Sequence, residues 1–195
     1  YYLSRELANI GCEVHVFTKT EKKILKTEYI GQGKLFIHGI GEIKNTNNIE
    51  PVTKKRISYF VFDNNVINAI SAENSRGKFD ILHTHGWLTS GAFISKYINN
   101  VPWVHTLHAL EKNRLKFMTP EEKKYFQIAR WMESTIRSAD SVICVSEQLR
   151  QESIREYNLK KEKTFVIPNG IDKSIFYKKE EEKKEQILYV GRFSL

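Results

Sequence analysis

The stretch SVICVSEQLRQESIREYNLKKEKTFVIPNG, residues 141–170, decides the fold. It opens on a short apolar run without polar alternation, SVICVS, which predicts a buried strand. The polar segment EQLRQESIREYN predicts a helix, and TFVIP predicts a second strand. Short apolar strands that alternate with helices are typical of a parallel sheet covered by helices on both faces. We therefore predict the α/β class, with a Rossmann-like parallel sheet.

The same alternation runs through the preceding residues. Strands are predicted at CEVHVFT, at FDILH (79–83) and at WVHTLH (103–108). The clearest helix start is a capping box, with Thr119 as N-cap, Pro120 at the first helical position and Glu122 at the third. Apolar residues at helical spacing mark the other helices: Leu3, Leu7 and Ile10 before Gly11, then Val66, Ile67 and Ile70, and then Phe93, Ile94, Tyr97 and Ile98.

Composition and length suggest a globular protein with one good-sized core and the beginning of a second unit. The 195 residues are 41% hydrophobic, and we expect residues 1–171 to form a Rossmann-like domain. A charged linker, 172–186, leads to ILYVG, the expected first strand of a second domain at 187–195. The sequence shows neither a signal peptide nor an apolar run of about 18 residues, so we expect a cytoplasmic protein. The separated Cys12 and Cys144 are expected to be free, packed thiols.

The net charge of +8 does not identify a partner, because acidic residues accompany the densest basic runs, 21–26 and 178–185. We interpret these runs as solvated surface and expect no nucleic-acid partner, since aromatic residues are not interleaved with them. The glycines near KLFIHGI match no nucleotide-binding loop and are expected at strand-end turns: Gly31, Gly33, Gly39 and Gly41.

Polar side chains follow the predicted strands at the end where α/β sheets bind ligands. They are His83, His85 and Trp87, then His108, Ser146, Asn169 with Gly170, and Arg192. Imidazole, hydroxyl, amide and guanidinium groups along one edge would suit a polyhydroxylated or phosphorylated ligand.

Taken singly, each group also has a purely structural explanation. We expect His83 to be packed and His85 to face the edge of the sheet, with no third residue at a convincing metal-ligand spacing. His105 and His108 could both be buried imidazoles, and Trp87 could belong to the core. Ser146 could be a helix N-cap, and the Asn169–Gly170 pair is ordinary turn chemistry. Only their occurrence at successive strand ends favours a site.

Five motifs, in this order, resemble the family-four retaining glycosyltransferases of the GT-B fold: HTHGWLTSGA, TLHAL, ADSVICVSE, VIPNGID and ILYVGRFS. Within that family the resemblance, over roughly the whole chain, is strongest to the glycogen and starch synthase branch. It implies two Rossmann-like domains flanking a cleft and transfer of a sugar from a nucleotide sugar with retention at the anomeric carbon. It also implies no required metal and no cofactor.

Carried over by position, the resemblance places His108 beside the donor sugar and Asn169 near the sugar and its diphosphate. Arg192 would neutralise the departing diphosphate, and both His108 and Arg192 are therefore catalytic candidates. Substrate-binding candidates are His85, Trp87, Ser146, Asn169 and Gly170. The implied partners are a donor such as ADP- or UDP-glucose and a glucan or other glycosyl acceptor. The resemblance nominates no protein nucleophile.

The sequence departs from the family pattern at Gly86, where the synthases often carry an aspartate near the acceptor. The family pattern also leads us to expect a further strand and a glycine-rich loop before Tyr1, and a donor-binding half after Leu195. We expect this chain alone to be inactive.

Three alternatives stay open. A lipid or small-sugar acceptor would use the basic surface and the apolar residues Leu115, Phe117, Met118 and Trp131 for peripheral membrane contact, although packing and a mobile acceptor loop explain them more simply. A non-catalytic Rossmann-like binding module and a nucleotide-sugar epimerase are the other two.

Overall fold

The structure is a computed structural model that describes residues 2–20, 25–41, 51–86 and 91–177, together with 185, 187 and 189–191. The helices are α1 (Tyr2–Asn9), α2 (Pro51–Arg76), α3 (Gly91–Asn99), α4 (Glu111–Arg114), α5 (Pro120–Ser134) and α6 (Glu147–Tyr157). The strands are β1 (Glu13–Lys19), β2 (Leu25–Ile30), β3 (Gly33–Ile40), β4 (Leu82–His85), β5 (Trp103–Leu107), β6 (Ser141–Cys144) and β7 (Thr164–Val166). Short 3₁₀ turns lie at Leu115–Phe117, Thr135–Ser138 and Lys161–Lys163.

The larger sheet confirms the prediction of a parallel Rossmann-like arrangement. Its strand order is β4-β5-β6-β7, and every neighbouring pair is parallel. The register pairs His85 with Thr106, and Cys144 with both Leu107 and Val166. Parallel strands in this register end together, so the residues that follow them share one edge of the sheet.

A second sheet has the order β1-β3-β2, with β1 parallel and β2 antiparallel to β3. The sequence did not predict β2, because Leu25 and Lys26 sit in a charged run interpreted as surface. Lys26 is exposed, and only pairing with β3 makes this segment a strand. The Phe17 and Phe79 rings, which meet edge to face at 6.4 Å, connect this sheet to the segment that enters β4.

The core lies between the parallel sheet and its helices. Trp103, Leu107, Leu110 and Cys144 are fully buried there. Asp140 ties the beginnings of the strands together, because its carboxylate accepts hydrogen bonds from the Trp103 backbone N–H and from Lys96 of α3, each at 2.8 Å. These bonds lower the pKa of Asp140 despite the opposing effect of desolvation.

Helix α3 does not bury the face that its sequence predicts. Ile94, Tyr97 and Ile98 are exposed, whereas Ala92 and Ser95 are buried. A side chain at Gly91 would come within 3.1 Å of the Asp63 carbonyl oxygen of α2. The small residues therefore face α2, because only they permit this close approach of the two backbones.

Three other expectations are corrected or left open. The strand predicted at 79–83 begins at Leu82, and Cys12 is exposed, so only Cys144 is a packed thiol. Ile187 and residues 189–191 adopt no regular structure. Of the expected linker, 172–186, the structure describes only residues 172–177 and residue 185. The division into domains therefore stays a prediction.

Gly33 offers a test of the packing between α1 and β3. A Cβ there would collide with the backbone carbonyl oxygens of Ala8 and Cys12, whereas a Cβ at Gly41 would meet nothing within 4 Å. We expect Gly33→Ala to lower the free energy of unfolding by about 1–3 kcal/mol, because neither carbonyl can move without breaking the α1–β1 turn. Gly41→Ala is the matched control, and we expect a change within about 0.5 kcal/mol. Equal urea-unfolding midpoints for the two variants would contradict the predicted clash.

Candidate functional site

Two predicted site residues, His85 and His108, come into contact. His85 is the last residue of β4, and His108 directly follows β5. The Nδ1 atom of His85 and the Nε2 atom of His108 lie 3.2 Å apart, and the two rings stack with their centroids 5.5 Å apart. Both side chains are exposed at the carboxyl edge of the parallel sheet. The structure thus brings together two imidazoles that are separated by 23 positions in the sequence.

His83 belongs to the same cluster, contrary to the expectation that it is packed. It is exposed, its ring centroid lies 4.5 Å from that of His85, and its Nε2 lies 2.8 Å from the Thr106 hydroxyl. The prediction was wrong because β4 lies at the edge of its described sheet, where fewer neighbouring residues cover the side chains. His83 and His85 are two positions apart and therefore lie on the same face of this strand. In the described part of the chain, no three His, Cys, Asp or Glu side chains are grouped to hold a metal ion.

Two imidazoles of the cluster, those of His83 and His85, are held in the neutral form at physiological pH. Desolvation, followed by the proximity of His83 and His108, lowers the pKa of His85 to about 4. Desolvation, followed by the proximity of His108, also lowers the pKa of His83. A neutral imidazole has one N–H donor and one nitrogen acceptor. His83 and His85 therefore present hydrogen-bonding groups suited to hydroxyls, without a fixed positive charge.

His105 has a different role from His108, a distinction that the sequence left open. His105 is only 2% exposed, and its Nδ1 lies 2.7 Å from the Thr84 hydroxyl, which also accepts a hydrogen bond from Trp103 Nε1. Burial and then the neighbouring histidines lower the pKa of His105 to about 3. His105 is therefore a neutral core residue, and His108 is the one that a ligand can reach.

Ser146 lies at the end of β6, and its structural explanation is confirmed. It is the N-cap of α6, where its extended backbone (φ −154°) lets the side-chain oxygen accept a hydrogen bond from the Leu149 backbone N–H at 3.2 Å. The side chain is exposed. Capping uses one acceptor lone pair of the hydroxyl, so its O–H donor and its second lone pair are available to a substrate.

Asn169 and Gly170 follow β7 on the same edge. The Ile167 backbone N–H donates to the Cys144 carbonyl oxygen at 3.0 Å and carries the parallel pairing one residue past β7. Asn169 and Gly170 then leave the sheet as exposed, irregular chain. The corner thus presents the Asn169 amide to solvent. Two other predicted site residues, Trp87 and Arg192, lie outside the described residues.

Sequence reasoning missed the residues that support the segment after His108. The Glu111 backbone N–H, at the start of α4, donates to the buried Glu133 carboxylate of α5, and the Tyr157 hydroxyl of α6 donates to the same carboxylate. The partners of Glu133 are 22 and 24 positions away in the sequence. No local motif could have revealed them.

The apolar residues considered for membrane contact divide into two pairs. Phe117 and Trp131 are 69% and 68% exposed, so the expectation that they pack is wrong, whereas Leu115 and Met118 are half-buried. Within the described residues, no helix has the length and apolar character needed to cross a membrane.

Comparison with known sequences assigns the family. The Glycosyltransferase Family 4 profile matches residues 1–175, and the chain belongs to this family. An alpha-maltose-1-phosphate synthase of Mycolicibacterium smegmatis is 32% identical over 111 residues, covering 55% of this chain and 28% of the relative. A D-inositol 3-phosphate glycosyltransferase of Xylanimonas cellulosilytica is 26% identical over 181 residues, covering 89% of this chain and 42% of the relative. The chain thus spans less than half the length of these relatives.

A solved structure shows the same fold. The sucrose-phosphate synthase of Thermosynechococcus elongatus superposes with a TM-score of 0.68 over 90% of this chain and 43% of its own, at 22% identity. The match supports the Rossmann-like arrangement found here. The glycogen synthase branch is not singled out by these comparisons, because the relatives carry other names.

The capping role of Ser146 predicts a specific loss of stability. We expect Ser146→Ala to lower the free energy of unfolding by about 1 kcal/mol, because the Leu149 N–H loses its acceptor. Ser146→Thr keeps a hydroxyl at the N-cap and is the control. Urea unfolding of the two variants measures the difference, and an alanine variant as stable as the threonine variant would contradict the assigned cap.

The lowered histidine pKa values predict that acid destabilises the fold. When the pH lies between the ordinary pKa of 6.5 and the folded-state pKa of about 3, His105 binds a proton in the unfolded chain but not in the folded one. The contribution of His105 to the free energy of unfolding is therefore fully present above its ordinary pKa and is lost as the pH falls. For this residue alone the loss is about 2 kcal/mol between pH 7 and pH 5. His83 and His85 act in the same direction.

Urea unfolding at the two pH values, for wild type and His105→Gln, measures this effect. We expect the difference between the two pH values to shrink in the variant, which has no imidazole at position 105. An unchanged difference would show that His105 is not the group responsible.

Proposed function

We propose that this chain is the acceptor-side domain of a retaining glycosyltransferase that moves a sugar, glucose in the first instance, from a nucleotide sugar to an acceptor. The observation that supports this proposal most strongly is the His85–His108 contact, at 3.2 Å, on the ligand-binding edge of a chain that belongs to Glycosyltransferase Family 4. The exposed Asn169 follows β7 on the same edge.

In this proposal His108 lies beside the donor sugar and hydrogen-bonds to its hydroxyls. His85 holds the His108 ring through the nitrogen contact, so that the exposed ring edge faces the sugar. Asn169 approaches the sugar and diphosphate from the adjacent part of the edge. Arg192 compensates the negative charge that develops on the departing diphosphate, because a fixed cation stabilises that charge most when the bond breaks.

Three acceptor classes are consistent with the site. The resemblance to glycogen and starch synthases favours a glucan. The second candidate is a phosphorylated sugar or polyol, since the three relatives described above are named for maltose 1-phosphate, inositol 3-phosphate and sucrose phosphate. Gly86 favours this second class on physical grounds. An aspartate at this position would repel an acceptor phosphate, and glycine does not.

A lipid-linked acceptor is a third possibility. The exposed side chains of Phe117 and Trp131 support it, and the net charge of +8 would favour anionic lipid.

Nucleoside diphosphate release by the full-length protein tests the proposal. ADP-, UDP- and GDP-glucose are each supplied alone, with glycogen, with an inositol or sugar phosphate, and with vesicles that contain glycosyl-acceptor lipid. We expect one donor–acceptor pair to give turnover, and His108→Ala to reduce it about a hundredfold through the loss of a hydrogen bond at the reacting sugar.

His15→Ala is the matched control, because His15 lies on β1 of the other sheet and the proposal gives it no role. The acceptor that supports turnover decides among the three classes. No release with any pair, from protein shown to be folded, would overturn the proposal in favour of a binding module.

A further inference from the structure

The segment that carries His108 ends in a helix too short to be stable alone. Helix α4 has four residues, Glu111–Arg114, and begins three positions after His108. A single helical turn fixes several backbone dihedral angles for very few hydrogen bonds, so it requires external contacts. Leu107 and Leu110, on either side of His108, are both fully buried. Anything that holds α4 therefore also fixes the position from which His108 projects.

Three residues of α4 are bonded to α5 or α6. The Glu111 backbone N–H donates to both Glu133 carboxylate oxygens, at 3.3 and 3.2 Å. Lys112 forms an ion pair with Glu156 at 2.6 Å, and Asn113 Nδ2 donates to Glu152 at 2.9 Å, both on α6. Glu156 and Glu152 are partly exposed, so the bond at Glu133 is the one of the three that is fully buried.

Glu133 replaces a missing local cap. The N-cap position of α4 is Leu110, whose side chain offers no hydrogen-bond acceptor to the first turn. Helices normally satisfy these N–H groups with a Ser, Thr, Asp or Asn at this position. Here the acceptor is a carboxylate from α5, and its negative charge also interacts favourably with the positive end of the α4 dipole.

Burial of Glu133 is energetically unfavourable, which argues that it has a purpose beyond filling space. The residue is 2% exposed, and burial raises its pKa to about 7 even though the bonds from Tyr157 and the Glu111 N–H act to lower it. A neutral residue of similar size would fill this position without the desolvation cost.

We propose that Glu133, supported by the Tyr157 hydroxyl, is a positioning residue that fixes His108 by capping α4 from α5. The proposal rests on the function assigned to His108 above, but its structural part is independent of that function. Glu133 acts through the backbone of residues 108–111 and does not touch the substrate.

The test compares Glu133→Gln with Glu147→Gln in the full-length protein. Glutamine keeps one acceptor oxygen but places an NH₂ donor where the second carboxylate oxygen now accepts from the Glu111 N–H, so it weakens the bond to this N–H. Glu147 is a matched control, because it is an exposed glutamate of α6 that pairs with Arg150 and not with α4. Tyr157→Phe is the milder second variant, which removes one hydroxyl and keeps the ring in the core.

The first readout is hydrogen exchange of residues 108–114, and the second is the ¹⁵N spectrum of the imidazoles, with His15 as internal reference. We expect Glu133→Gln to increase the exchange rate of the Glu111 amide about tenfold, because the free energy of one lost hydrogen bond corresponds to a factor of about this size. The His108 signals should shift or broaden while those of His15 do not. Tyr157→Phe should give a smaller change of the same kind, and Glu147→Gln none.

Kinetics provide the third readout. With the donor and acceptor that give turnover, we expect Glu133→Gln to lower kcat about tenfold and to change KM for the donor much less, because His108 is only one of the donor's contacts in the ground state and its exact position matters most in the transition state. Unchanged exchange, or unchanged His108 signals despite faster exchange, would overturn the proposal. A wild-type protein without transferase activity would instead refute the proposed function, and the exchange and spectroscopic results would still decide whether Glu133 positions His108.

Discussion

The parallel register of β4, β5, β6 and β7 is the constraint on which the site depends. Because all four strands run in the same direction and their pairings are in step, each ends at the same edge of the sheet. Polar residues are costly in the middle of these strands, which are flanked by helices, but at the carboxyl ends of the strands they reach solvent. His85 and His108 meet there although they come from different strands. The same geometry places Ser146 and Asn169 on the neighbouring positions of that edge.

Two groups of polar residues have distinct tasks in this arrangement. One group is exposed at the carboxyl edge and is available to a ligand, as with His108. The other is wholly or partly buried and holds the first group in place: the Glu133–Tyr157 pair supports the segment after β5, and Thr84 orients His105 within the sheet. Asp140 performs a similar task at the opposite ends of the strands, where it joins β5 to α3. These buried groups are expensive individually, and hydrogen bonds to defined partners offset that cost.

Sequence reasoning succeeded where the cause of a feature is local. The capping box predicted that α5 begins at Pro120, Gly11 ended α1 with φ +103°, and Ser146 was named as a possible N-cap before the structure confirmed it. Reasoning from side-chain hydrophobicity failed where packing distances decide the outcome. Helix α3 buries Ala92 and Ser95 in place of its larger apolar residues, because α2 approaches too closely to admit them. Strand β2 was missed because its partner β3, and not its own composition, makes it a strand.

The sequence by itself determined the α/β class, the order of most strands and helices, and the family, since these follow from periodicity and from short motifs read in order. It also nominated the strand-end residues, His108 among them. Only the tertiary structure decided which of these residues meet, that His105 is a buried core residue while His108 is exposed, and that Glu133 caps α4. The physical reason is that these properties depend on contacts between residues about 20 or more positions apart, whose distances are set by strand register and helix packing and by no local pattern.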